Sequence, residues 1–108
     1  MNIQYKKGIL ELCVLSLLKK RDMYGYEISD LLSKKISIAD GTVYPILRKL
    51  KTDGLLTTYL QEESGGPPRK YYSLTEYGSE SYERDREEYI RFAKTVETLI
   101  EGDQNEKE

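Results

Sequence analysis

Apolar residues recur along the first half of the chain at the spacing of helices. Between residues 5 and 20 they occur on nearly every side of a helix, which predicts a helix buried on more than one side. The stripe Ile28, Leu31 and Leu32 predicts a second helix that begins at residue 24 or 25 and ends at residue 33 or 34. Two helices and a short link to a third are the outline of a helix-turn-helix.

The stretch ADGTVYPILRKL, residues 39–50, predicts the third helix, which we expect to end near Asp53 with Gly54 as its C-cap. On a helical wheel Gly41 and Pro45 lie on the exposed side. A proline is tolerated in the first helical turn, where backbone N–H groups lack helical partners anyway. The opposite side is the expected core face, formed by Val43, Ile46, Leu47 and Leu50.

After Gly54 the pattern changes to that of a β-hairpin. Residues 55–62 and 69–74 are rich in Leu, Thr and Tyr, which favour strands. The intervening residues 63–68 read ESGGPP, and their glycines and prolines are typical of a turn. At least one of Tyr71 and Tyr72 should be buried, because neighbouring side chains of a strand point to opposite faces.

A long charged helix follows, from the N-cap Thr75 to about Glu101. Its apolar residues Tyr82, Tyr89 and Val96 are spaced by seven, and Phe92 and Leu99 add the second position of a heptad seam. A helix of about 26 residues is about 39 Å long, which is more than so small a domain can cover. We therefore expect a partner helix, followed by a polar tail over residues 102–108.

These elements predict an α+β, mostly helical fold, a winged helix-turn-helix with an added long C-terminal dimerisation helix. The expected division is a DNA-binding domain over residues 1–74, with the wing at about 55–74, and the dimerisation helix over 75–101. We expect Gly78, in the first turn of that helix, to permit close packing against the domain. Tyr26, at the start of the second helix, is expected to pack inside.

Composition narrows the chemistry further. The chain of 108 residues has no histidine and a single cysteine, Cys13, which excludes Ser-His-Asp and Cys-His catalytic pairs. A zinc site is not expected either, and we predict no enzyme and no cofactor. We interpret Cys13 as a small buried apolar residue rather than a reactive thiol. Without a long apolar run or a signal-peptide cleavage site, we expect a cytoplasmic protein.

The net charge of −2 conceals an asymmetry. Residues 1–74 hold 12 Lys and Arg against 8 Asp and Glu, a net +4, whereas residues 75–108 hold 5 against 11, a net −6. A mildly basic body followed by an acidic helix is compatible with a body that binds DNA.

The third helix of a winged helix-turn-helix enters the DNA major groove, and its wing lies along the backbone or the minor groove. Small residues at a helix N-terminus allow a close approach to phosphate, with cations further along. Gly41 could serve that approach or only accommodate Pro45. The predicted DNA-binding residues are Lys34, Lys35, Gly41, Thr42, Tyr44, Pro45, Arg48, Lys49, Gly65, Gly66, Arg69 and Lys70. The alternative is a winged-helix module that binds protein and no DNA.

The predicted dimer interface combines the apolar first helix with the seam of the last one. A chain this small buries a modest core, so a second subunit would add cover to both helices. The predicted interface residues are Ile9, Leu10, Cys13, Leu17, Tyr82, Tyr89, Phe92, Val96 and Leu99.

Three segments also carry a family resemblance: MYGYEISDLL (23–32), DGTVYPILRKLKTDGLL (40–56) and GPPRKYYSLTEYG (66–78). In this order and spacing, and followed by one charged helix, they resemble the smaller PadR-like transcriptional regulators. The resemblance covers nearly the whole chain.

It implies a homodimeric repressor on a palindromic operator, dimerisation through the first and last helices, and release by a small molecule. It places Tyr44 and Pro45 on the recognition helix, and Gly66, Arg69 and Lys70 on the wing. Some small members bind flat aromatic compounds at the dimer centre through a tryptophan of the last helix, and this chain has none. Tyr5, Tyr89 and Phe92 could line such a pocket or form the dimer core instead.

Overall fold

The polypeptide alternates helices with short strands, as seen in a computed structural model that describes residues 3–62 and 65–102, with side chains of the first helix described from Gly8 onward. The elements are α1 (Ile3–Lys20), β1 (Met23–Tyr24), α2 (Gly25–Ser33), α3 (Val43–Thr52), β2 (Leu56–Gln61), β3 (Arg69–Leu74) and α4 (Glu76–Glu101). The predicted α+β fold, three helices followed by a hairpin and a long helix, is confirmed. No helix among the described residues is long and apolar enough to cross a membrane.

The sheet has three antiparallel strands in the order β1-β3-β2. Strand β1 was not predicted, because two residues are too few to show an alternating pattern. Its Met23 pairs with Tyr72 and its Tyr24 with Tyr71, so the hairpin is joined directly to the chain that enters α2. The other side of β3 pairs with β2 from Leu56↔Leu74 to Gln61↔Arg69.

The core lies where α1, α2 and α3 meet the base of the hairpin. All four residues of the predicted core face of α3 are buried, which confirms the wheel. Tyr72 is buried too, which confirms the prediction that at least one of Tyr71 and Tyr72 lies in the core. The buried apolar set is Leu10, Val14, Leu15, Leu18, Met23, Ile28, Leu32, Val43, Ile46, Leu47, Leu50, Leu56, Tyr72 and Tyr82.

Helix α3 ends as predicted, at a glycine in the left-handed conformation. Gly54 has φ +84° and follows the C-cap Asp53. The N–H of Gly54 donates to the carbonyl of Lys51 at 3.0 Å, and the N–H of Leu55 donates to the carbonyl of Leu50 at 2.9 Å. This pair of bonds is the Schellman motif, and it directs the chain from α3 into β2.

A compact junction joins the wing to α4. Thr75 is the N-cap: its hydroxyl accepts from the N–H of Gly78 at 2.9 Å and donates to the carbonyl of Gly54 at 2.7 Å. Its own N–H donates to the carbonyl of Leu55 at 3.1 Å. A Cβ on Gly78 would overlap that same carbonyl oxygen and lie 2.9 Å from its carbon. The expected close approach at Gly78 is therefore confirmed.

Candidate nucleic-acid interface

The exposed side of α3 begins with a turn rather than with helix. Gly41 precedes the helix and has φ +85°, a conformation that residues with a Cβ rarely adopt. Its place on the helical wheel was therefore wrong: Gly41 is required by the turn, with open space where a Cβ would be. Thr42 is the N-cap and Pro45 is the third helical residue, within the first turn as predicted, where its missing N–H costs little.

The exposed side chains of α3 face a cleft of about 660 Å³ between the start of α2, α3 and the wing. Tyr44 and Arg48 line its α3 side, and Arg69 and Lys70 line its wing side. The structure thus brings together four of the predicted DNA-binding residues. The cleft is open to solvent along one side and combines hydroxyl and aromatic groups with three cations. Its full lining is Tyr24, Gly25, Tyr26, Tyr44, Arg48, Arg69, Lys70 and Tyr72.

Cations lie close to the aromatic rings of this cleft. The Arg69 guanidinium is 4.5 Å from the centre of the Tyr24 ring, and the Lys70 ammonium is 5.9 Å from that of Tyr72. Burial raises the pKa of Tyr72, and the nearby positive charge of Arg48 opposes that shift. Arg48 lines the same cleft as Arg69 and Lys70 of the wing, so the three cations contribute to one positive surface.

Three tyrosines, Tyr24, Tyr59 and Tyr71, pack against one another on one face of the sheet. The Tyr71 ring stacks on Tyr59 with centroids 5.7 Å apart and meets Tyr24 edge-on at 5.5 Å. The Tyr59 hydroxyl donates to a carboxylate oxygen of Asp22 at 2.7 Å, and this hydrogen bond raises the pKa of Tyr59. All three strands are linked by these contacts, which hold the wing against the chain entering α2.

Lys49 does not belong to this surface. Its ammonium lies 3.0 Å from Asp53 and 3.5 Å from Glu11 of α1. The hydrogen bond to Asp53, followed by the charge of Glu11, raises the pKa of Lys49. The helical wheel placed Lys49 on the border of the exposed side. Its ion pairs with Asp53 and Glu11 direct the side chain towards α1. In this arrangement the ammonium is paired with carboxylates and directed away from the cleft, and its role as a phosphate ligand stays a prediction.

Lys34, Lys35, Gly65 and Gly66, also predicted to bind DNA, are not among the residues that line the cleft. Lys34 is paired with Asp30 at 3.1 Å in an exposed contact that contributes little to stability, and Lys35 is exposed beside it. Gly65 and Gly66 are exposed at the tip of the wing, where Gly65 has φ +80°. Glu63 and Ser64, which precede them, lie outside the described residues.

Two tyrosines of the cleft were expected to pack in the core, although a contact between Tyr24 and phosphate was the alternative for that residue. Tyr26 was expected to pack inside, yet its side chain is 67% exposed because it lies on the outer side of the first turn of α2. Tyr24 lies in the short strand β1, which had no detectable pattern. The close spacing of Tyr24 and Tyr26 around a glycine was the available signal.

The predicted dimer residues divide into three groups by burial. Leu10 and Tyr82 are only 6% and 8% exposed because they are buried in the core of their own chain, so they are removed from the predicted interface. On α4, Phe92 is 57% and Leu99 75% exposed, and Tyr89 is exposed as well. The half-buried members of the set are Ile9, Cys13, Leu17 and Val96.

A second cleft, of about 560 Å³, lies between α1 and α4. Tyr89 and Phe92, two of the three predicted pocket residues, line it together with Leu12 and Leu15. The side chain of Tyr5, the third, lies outside the described residues. Partial burial raises the pKa of the Cys13 thiol on α1, which favours the unreactive thiol form.

A three-helix body, a wing beside the third helix and a basic, aromatic cleft between them define a winged helix-turn-helix protein. The family model of the transcriptional regulator PadR-like family matches residues 14–84. The chain belongs to the PadR-like family of transcriptional regulators, a membership that implies DNA binding.

Individual relatives agree with this assignment. A PadR-like transcriptional regulator from Bacillus cereus is 34% identical, covers 93% of this chain and 99% of its own, and superimposes with a TM-score of 0.83. A Streptococcus transcriptional regulator is 31% identical over 92% and 99% of the two chains, with a TM-score of 0.84. The transcriptional regulator YqjI of Escherichia coli is 35% identical over 88% of this chain, which spans only 46% of the length of YqjI.

Proposed function

We propose that the protein is a homodimeric, sequence-specific DNA-binding repressor whose operator is palindromic and whose DNA binding is relieved by a small molecule. The observation that carries the proposal is the cleft that gathers Tyr44 and Arg48 of α3 with Arg69 and Lys70 of the wing. In this proposal α3 reads base edges in the major groove while the wing contacts phosphates.

The exposed apolar side chains of α4 support the dimer. Phe92, Leu99 and Ile100 are exposed in the C-terminal half of α4, in a chain whose longest dimension is 66 Å. A second copy is the proposed cover, because a closed twofold dimer buries the same stripe on both chains. Twofold symmetry would present two α3 helices to DNA and explains the palindromic operator.

The cleft between α1 and α4 supports the effector. Its apolar walls, Leu12, Leu15 and Phe92 among them, adjoin the proposed dimer surface, so a ligand there could alter how the two subunits meet. Glu11, Asp85 and Glu88 give the cleft an acidic side. In the absence of a ligand these walls would form part of the dimer core.

The experiment that tests the function is a fluorescence anisotropy titration with DNA from upstream of the protein's own gene. A duplex of the same length and base composition but shuffled sequence serves as the control. We expect tighter binding to the upstream duplex and a fall in affinity with added salt. A protein-binding module would bind neither duplex at any salt concentration, and that result would reject the proposal in favour of this alternative.

Arg48→Ala is expected to weaken binding to the operator by about 1–3 kcal/mol for each half-site, the value of a good contact between an arginine and a guanine edge. Binding to the shuffled duplex should change much less, because that duplex lacks the specific contact. The measurement is the same titration with both duplexes. Arg91→Ala removes an exposed arginine of α4, remote from the cleft, and should leave both affinities unchanged. Equal losses on the two duplexes would contradict base reading by Arg48.

Arg69→Ala is expected to weaken all duplexes by a similar factor and to reduce the salt dependence. Because the proposed dimer loses one phosphate ligand in each subunit, the plot of log affinity against log salt should become less steep by about 2, about 1 for each ligand removed. Titrations at four salt concentrations, with operator and shuffled DNA, measure that slope. An unchanged slope would remove Arg69 from the set of phosphate ligands.

A further inference from the structure

Neither a left-handed backbone conformation nor a close approach of two helix backbones explains why residue 25 is a glycine. Gly25 is the first residue of α2, and it is absent from the described glycines with positive φ, which are Gly41, Gly54, Gly65 and Gly102. Alanine is a better helix former than glycine, so the helix itself gains nothing from this residue. Gly25 is nevertheless buried, which means that a neighbouring group occupies the space beside it.

That group is the ring of Tyr44. A Cβ built on Gly25 would lie 2.9 Å from Cε1 and 3.6 Å from Cδ1 of Tyr44, and the next atom, in the side chain of Leu47, is at an ordinary 3.8 Å. No backbone atom of α3 is among these neighbours. The missing side chain at Gly25 therefore provides space for the ring of Tyr44 and does not bring two backbones together, in contrast to Gly78.

The place of that ring matters because Tyr44 lines the cleft between α3 and the wing. Its ring rests on the first turn of α2, while 38% of its surface remains exposed. Arg48 of α3 and Arg69 of the wing line the same cleft. A ring displaced from its place against α2 would alter the position of its hydroxyl in this cleft.

We propose that Gly25 is a positioning residue for DNA recognition: by leaving room for the ring of Tyr44 on α2, it fixes the Tyr44 hydroxyl at the cleft where DNA binds. This inference rests on the proposed function, and it adds a residue with no DNA contact of its own. The side chain at this position would act on affinity only through Tyr44.

Gly25→Ala is the first test. The ring is the outer part of a flexible side chain and can move, so the variant should fold with a midpoint of thermal unfolding equal to or above that of the parent. Its affinity for the operator should fall by about fivefold to tenfold for each half-site, the loss of about one hydrogen bond in each subunit. The control is Arg91→Ala on the exposed surface of α4, remote from the cleft, and it should leave the affinity unchanged.

The second test is a double-mutant cycle with Tyr44→Ala. If Gly25 acts through the ring, Gly25→Ala should lower affinity less than about twofold once the ring has been removed. A merely structural effect on α2 would lower affinity by the same factor in both backgrounds. That result, or a Gly25→Ala variant that binds like the parent, would overturn the proposal.

A measurement without DNA separates this inference from the proposed function. NMR spectra of the protein labelled in its tyrosine rings should show the Tyr44 signals displaced in Gly25→Ala and unchanged in Arg91→Ala. Unchanged Tyr44 signals in Gly25→Ala would reject the positioning role even if the protein binds its operator. If the Tyr44 signals are displaced in Gly25→Ala but the parent protein binds no duplex, the proposed function and the DNA part of this inference are rejected. The packing of Tyr44 on Gly25 would still be supported.

Discussion

Gly78→Ala is expected to lower the free energy of unfolding by about 3 kcal/mol, several times the effect of an ordinary surface substitution. The added methyl group would overlap the carbonyl oxygen of Leu55, a backbone atom that cannot rotate away. The same carbonyl accepts the N–H of Thr75, so any shift that relieves the overlap also strains the N-cap of α4. Chemical denaturation followed by circular dichroism measures the loss.

The matched control is Gly66→Ala at the tip of the wing. Gly66 is exposed, has no positive φ, and an added Cβ there meets nothing within 4 Å. It should leave the unfolding midpoint within error of the parent, whereas Gly78→Ala should lower the thermal midpoint by about 10–20 °C. Equal midpoints for the two variants would show that the wing and α4 can separate without cost.

Phe92→Glu combined with Leu99→Glu is expected to convert the proposed dimer into a folded monomer. Both side chains are largely exposed in the single chain, so charges there cost the monomer little, but in a dimer they would be buried without partners. We expect the dimer dissociation constant to rise at least about 100-fold, which corresponds to about 2.7 kcal/mol. Sedimentation velocity over a range of concentrations measures it, and affinity for a palindromic operator should fall as well.

A control for this variant adds the same charge on the other side of α4. Lys94→Gln with Thr98→Glu changes the net charge by −2, as the test variant does, but it alters residues opposite the stripe of Phe92, Val96 and Leu99. The control should sediment like the parent. If both variants sediment like the parent dimer, the interface lies elsewhere than on this stripe.

Local patterns in the sequence were sufficient for most of the fold. The four apolar positions of α3, the left-handed Gly54 and the N-cap Thr75 each follow from short-range rules of periodicity and capping, and each is confirmed. Gly78 was identified because glycine is a poor helix former, so its presence in the first turn of a helix indicates close packing against a neighbouring segment. Strand β1 could not be identified, because its two residues form a strand only through pairing with β3.

The candidate site was less predictable, because its members are brought together by contacts between distant segments. The charge of Lys49 marked it as a phosphate ligand, and only the position of Glu11 on α1 shows which way it turns. Tyr26 is apolar enough to pack, and its exposure depends on how α2 meets α3 and the wing. Leu10 and Tyr82 fit the stripes of two helices that could face a partner, but the chain's own core covers them.

The junction at Thr75 has a geometric consequence for the proposed dimer. Because the hydroxyl of Thr75 bonds the turn after α3 and its N–H bonds the start of the hairpin, α4 begins rigidly attached to both elements that we propose contact DNA. A rotation of one α4 against its partner would therefore swing each body as a unit, through a distance that grows with its separation from the rotation axis. A ligand that altered the angle between the two α4 helices by a few degrees would change the spacing of the two α3 helices without distorting either one.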